Sequence, residues 1–91
     1  MKKVLAIATF TLLANTSLVY AGPTCTTEPK DKWQKEEDFK KKLTDEGYKI
    51  KVFKVTKGNC YEVYGWNKAG KKVEIYFNPV TGKAEKEQIE K

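Results

Sequence analysis

Between Cys60 and Phe77 the chain twice alternates apolar and polar side chains, on either side of Lys68-Ala69-Gly70, and no other feature restricts the fold as much. A period of two sends successive side chains to opposite faces of a sheet. A three-residue break with Gly at the left-handed position suits a tight antiparallel hairpin. Pairing Cys60–Trp66 with Lys72–Phe77 across it sets Gly65 opposite Val73, Val63 opposite Ile75 and Tyr61 opposite Phe77 on one apolar face. Trp66–Lys72, Tyr64–Glu74 and Glu62–Tyr76 then share the other face. A slip of one residue would exchange the two sets, so the hydrophobic pattern specifies the register.

Tyr48–Val55 alternates in the same way until Val52-Phe53, where the phase slips and predicts a bulge. Ahead of it the pattern predicts a helix over Lys35–Glu46. Glu36, Glu37 and Asp38 sit in its first turn and Lys40, Lys41 and Lys42 follow, an order that suits the helix dipole. Phe39 and Leu43 lie four apart on one face, and Gly47 provides a left-handed stop. So narrow an apolar stripe needs a sheet to lie on, and the apolar face of the strands supplies one. The expected fold class is therefore α+β, one helix packed on a three-stranded antiparallel meander, with Phe39, Leu43, Tyr61 and Phe77 in the core and Trp33 as a staple or lid. Asn78-Pro79-Val80-Thr81-Gly82 reads as a turn, and residues 84–91 as a charged tail, frayed or weakly helical.

Residues 1–21 have the composition of a secretory signal peptide: Lys2 and Lys3, the apolar run Val4–Leu13, then Val19-Tyr20-Ala21 before the expected cut. Thr9, Thr11, Asn15, Thr16 and Ser17 interrupt the apolar stretch, so no stable membrane span is expected. The expected location is periplasmic or secreted. What remains is an N-terminal arm over 22–34 and the domain over 35–83. A chain this small buries only roughly 60% of its unfolded surface, so a covalent staple is needed. Cys25 and Cys60 are the only cysteines, and in an exported chain they are expected to form a disulfide worth roughly 3–4 kcal/mol.

The chain has no His and no Arg. That excludes Ser-His-Asp and Cys-His catalytic units, His-ligated metals and guanidinium clamps. Glu62 and Glu74 share a face, but a flat open sheet would leave them exposed with ordinary acidity, so the chain reads as non-catalytic. Asp31, Glu36, Glu37 and Asp38 do not make a calcium loop among so many lysines, and no cofactor or metal is expected. The candidate partner-binding residues are Tyr64, Trp66 and Tyr76 with Glu62, Lys72 and Glu74, because aromatic anchors within a polar ring are what protein interfaces use. The same residues could instead serve the sheet alone through cross-strand pairs, including a Trp66–Lys72 cation–π contact. A homodimer through this face, or addition of a partner strand along the third strand, Val73–Phe77, are further readings. Lys49, Lys51, Lys54 and Lys57 would suit a polyanion, but edge strands also carry Lys to block pairing, and an exported chain without Arg is not expected to meet nucleic acid.

The series Leu43-x-x-x-Gly47-Tyr48-x-Ile50, Gly58-Asn59-Cys60-Tyr61-Glu62-Val63, Gly70-x-x-Val73-Glu74-x-Tyr76 and Pro79-Val80-Thr81-Gly82-Lys83 resembles the PepSY family. It is most similar to small single-domain periplasmic members with an early Cys, a Trp ahead of the helix and a closing D/N-P-x-T-G. Asn78 stands where many members have Asp, a departure that leaves the turn intact. The resemblance covers roughly Cys25–Lys83. It implies a helix on an antiparallel sheet, similar to the repeats of a beta-lactamase inhibitor protein, and a role in holding peptidase activity in check near the cell surface. The expected function is thus an exported, non-catalytic domain that binds and regulates an envelope protein, a peptidase or a membrane-protein ectodomain. The alternative is a small-ligand or polyanion-binding accessory protein of an envelope redox or sensor system.

Overall fold

The computed structural model describes residues 22–90. The signal peptide expected over 1–21 lies outside them. Residues 22–29 form an arm that leads into a single 3-10 turn at Lys30–Lys32 and then helix α1, Glu36–Asp45. Four strands follow in order, β1 Lys49–Val55, β2 Tyr61–Trp66, β3 Lys72–Phe77 and β4 Ala84–Ile89, forming one antiparallel meander.

α1 begins without a side-chain cap, and Glu36, Glu37 and Asp38 offset the positive dipole end instead. It buries Phe39 and Leu43. Gly47, at φ 102°, ends it, and Tyr48 N–H returns to the Leu43 carbonyl at 3.0 Å. Below the helix, Tyr61, Val63, Val73, Ile75 and Phe77 complete the core, with Trp33, Tyr48, Ile50 and Phe53 packed at its margin. The Phe39 ring lies 5.3 Å from that of Tyr61 and 5.1 Å from that of Phe77, in the tilted and edge-on arrangements that aromatic quadrupoles favour. Trp33 lies edge-on to Tyr61 at 5.7 Å, in the lid position expected for it.

The β2–β3 register is the one read from the alternation, from Tyr61 opposite Phe77 to Trp66 opposite Lys72. Gly70 has φ 81°, and the Asn67 side-chain oxygen accepts N–H bonds from Ala69 and Lys71, both at 2.9 Å, holding the loop. The bulge in β1 is real but lies earlier than expected, between Ile50 and Val52 rather than at Val52-Phe53. Its cause is Gly65 across the ladder. A Cβ built there would stand 1.9 Å from the Lys49 carbonyl oxygen, so only glycine lets β1 press in at that point. Lys51 becomes the extra residue, and Phe53 returns to the core phase.

The three-stranded expectation is corrected by β4. Residues 84–89 are neither frayed nor helical; they pair with β3 from Phe77–Ala84 to Val73–Ile89, with an irregularity near Glu85. The Asn78–Gly82 turn is the hairpin connection. Asn78 Oδ1 accepts from Val80 and Thr81, and Gly82 turns at φ 81°. Every β4 residue is exposed, so its strand state comes from main-chain pairing and not from burial. The edges are consequently β1 and β4. β3 is interior, and the expected strand addition along Val73–Phe77 is excluded because both of its sides are already paired.

Cys25 and Cys60 are joined in a disulfide, as expected. The arm is further tied by Cys25 N–H to the Gly58 carbonyl at 2.8 Å and by Asn78 Nδ2 to the Cys25 carbonyl at 2.9 Å. An Asp at position 78 could hold the turn but could not donate that second bond.

Candidate functional site

The face of the sheet opposite α1 carries all six candidate partner-binding residues, because the β2–β3 register puts Glu62, Tyr64, Trp66, Lys72, Glu74 and Tyr76 on one side. They do not form one uniform patch. At one end Tyr64 is 38% exposed, Trp66 is half-buried and Lys72 is exposed. With Lys51, Glu74 and Gln88 they line a shallow depression of about 350 Å³. Lys51 belongs to it through the β1 bulge, and Gln88 through β4.

At the other end the expectation of exposed carboxylates fails for Glu62, which is 4% exposed. It sits between two register partners, Lys54 on β1 and Tyr76 on β3. The arm adds cover: Gly22 lies so close on Tyr76 that a Cβ there would be 2.6 Å from the ring. Lys54 Nζ is 4.0 Å from Glu62 Oε1, beyond hydrogen-bond reach. Tyr76 donates its phenolic O–H to Glu74 Oε2 at 3.0 Å.

This crowding divides the acidity of the two carboxyls. Burial, reinforced by hydrogen bonding with Glu74, holds Glu62 above the usual carboxylate range. Glu74 is held below it, first by the hydrogen bond from Glu62 and then by those from Tyr64 and Tyr76. The two neighbouring carboxyls are therefore driven apart in acidity, Glu62 being the weaker acid of the pair. Hydrogen bonding to Glu74 pushes the Tyr64 phenol up to about 12, while burial and the same carboxylate raise Tyr76.

Trp66 and Lys72 stand opposite each other as read from the sequence. Among the described residues, however, the ammonium–ring contacts on this face are Lys54 over Tyr64 at 5.8 Å and Lys86 over Tyr76 at 5.9 Å. The alternation in Tyr48–Val55 could have placed Lys54. Lys86 was hidden with the unrecognised β4, and no sequence signal brings Gly22 to this face. Among the described residues no group of three or more His, Cys, Asp or Glu side chains could hold a metal ion. No helix among them is long and apolar enough to cross a membrane.

No curated protein and no solved structure matches the chain significantly. A family model described as peptidase propeptide and YPEB domain matches residues 4–88, nearly the whole chain, and the protein belongs to that PepSY family.

Proposed function

We propose that the protein is an exported, non-catalytic binding domain that regulates an envelope peptidase by docking its Tyr64–Trp66 depression onto that enzyme. The leader over residues 1–21 would carry it out of the cytoplasm and be cut after Ala21. Membership of a propeptide-like family supports the partner class. The observation that carries the choice of surface is the depression itself, two aromatic side chains flanked by Lys51, Lys72 and Glu74 on a face that α1 leaves open. Such rings offer large contact area at small entropic cost, and the flanking charges would orient a partner. Glu62 and Tyr76 take no direct part in this reading, since the arm, Lys54 and Lys86 already occupy their end of the face.

The test is capture of envelope proteins on the exported protein beside a Tyr64→Ala/Trp66→Ala variant shown to be folded by circular dichroism. The expected result is one peptidase held and slowed by the native domain, with at least roughly tenfold weaker retention by the variant, as for loss of an interface anchor. Equal retention by both proteins, or a captured peptidase whose activity is unchanged, would overturn the reading.

A further inference from the structure

The closed end of the far face holds a buried carboxyl, Glu62, that no lysine ammonium reaches at hydrogen-bond distance among the described residues. The Glu62 side chain is 6% exposed, and among the described residues its nearest cation is Lys54, 4.0 Å away. The other groups facing the cluster are Tyr64 from β2, Glu74 and Tyr76 from β3, and Lys86 from β4, whose ammonium lies over the Tyr76 ring. A second depression, separate from the Tyr64–Trp66 one, lies at this end, and Lys57 of the β1–β2 turn lines it but is exposed. An ammonium seated against these two carboxyls would favour the ionised form of both, any proton held between them passing to solvent.

One main-chain segment arrives there. Gly22 lines the depression with Glu62, Tyr64 and Tyr76, its backbone against the Tyr76 ring. Three residues further on, Cys25 is anchored by its disulfide to Cys60 and by its N–H to Gly58. Between them, Pro23 passes so close to Gly58 that a Cβ on that glycine would meet the Pro23 carbonyl oxygen. A group carried on this tether loses little freedom when it is fixed, unlike a lysine ammonium that must order a long side chain.

We propose that the α-ammonium of Gly22, released when the chain is cut after Ala21, seats on the Glu62–Glu74 pair against Tyr76 and completes the fold. This rests on the processing step in the proposed function and goes beyond it. Hydrolysis of the Ala21–Gly22 amide by a leader peptidase consumes one water and leaves a carboxylate on Ala21 and an ammonium on Gly22. Before the cut, position 22 offers only an amide N–H; after it, a full positive charge is delivered beside a buried carboxyl that the neighbouring ammoniums do not hydrogen-bond. Glycine is the residue that permits the approach, since a Cβ would stand 2.6 Å from Tyr76 Cε2.

The sign of the linkage is fixed. An amine whose pKa is raised by folding contributes stability that is fully present below its unfolded value, about 8, and lost as pH rises through the folded value. Protonation of the carboxyls removes the same stability in acid.

The experiment uses the full chain, expressed with its leader and recovered after export. Mass spectrometry reads the first residue, and nuclear magnetic resonance of the α-proton signal of residue 22 follows the amine against pH. The expected result is Gly22 at the N-terminus with proton affinity at least tenfold above that of an ordinary α-amine, whose pKa is about 7.7–8.0. The shift disappears in Glu62→Gln and also in Gly22→Ala, which leaves both carboxyls in place. A first residue other than Gly22 overturns the processing step. Gly22 at the N-terminus with an ordinary amine, or a shift that survives Glu62→Gln, overturns the seat and leaves the processing step standing.

Discussion

β2 and β3 send aromatic rings to both faces of the sheet, and the two sets are stabilised by different physics. On the α1 side, Tyr61 is buried against Phe39, Phe53 at 5.0 Å and Trp33, with its phenol donating to the Gln34 carbonyl. On the far side, Tyr64 and Tyr76 meet lysine ammoniums and carboxylates. The first set gains from area removed from water and depends little on salt or pH. The second gains from charges that solvent screens, so it adds little to stability, and its open end at Tyr64 is free to meet a partner.

The largest test of this contrast is a pair of truncations. Phe39→Ala should cost roughly 3–5 kcal/mol in urea denaturation, enough to leave so small a domain largely unfolded. Tyr64→Ala on the far face should cost no more than about 1 kcal/mol. Similar losses from the two would mean that the far face is part of the core.

Asn78 joins the arm to the β3–β4 hairpin, and its replacement is the intermediate test. Asn78→Asp keeps the acceptor for Val80 and Thr81 but removes the N–H donated to the Cys25 carbonyl and to Glu85. It should cost on the order of 1–3 kcal/mol and loosen residues 22–26, seen as faster amide exchange at Cys25. Unchanged exchange there would show that the disulfide alone positions the arm.

What could be read from the sequence follows the same division. The alternation of β2 and β3 is legible because one face is apolar, so a wrong register would bury Glu62, Glu74 and Lys72 under α1. β4 has no such face; Lys83-Ala84-Glu85-Lys86-Glu87 looks like a solvated tail, and only the turn chemistry of Asn78 and Gly82 hints at a return. The candidate site was half legible for the same reason. The register placed Tyr64, Trp66, Glu74 and Tyr76 on one face, but the burial of Glu62 depends on an arm whose path no periodicity encodes.

A smaller effect separates the faces by titration. All the phenols in the described domain lie above the usual tyrosine value. Tyr48 and Tyr61 are raised mainly by burial, Tyr76 by burial and Glu74, and Tyr64 chiefly by its hydrogen bond with Glu74. The folded state therefore favours the neutral phenols, and their contribution is lost as pH rises from about 10 through the folded values. Phenolate absorbance should lag behind that of free tyrosine until alkaline unfolding. Glu74→Gln should bring Tyr64 down toward its ordinary value and leave Tyr61 unmoved. A matching drop at Tyr61 would mean that the two faces are electrostatically one.

The missing side chain at Gly65 reaches further than the strand it belongs to. By admitting the Lys49 carbonyl it allows one extra residue into β1, and that insertion turns Lys51 toward the open depression while returning Phe53 to the aromatic core. The interior and the candidate docking surface are thus phased by the same backbone indentation. A lineage of such domains could vary the chemistry around Tyr64 and Trp66 at little structural cost, but a single methyl group at position 65 would shift the phase of both faces at once.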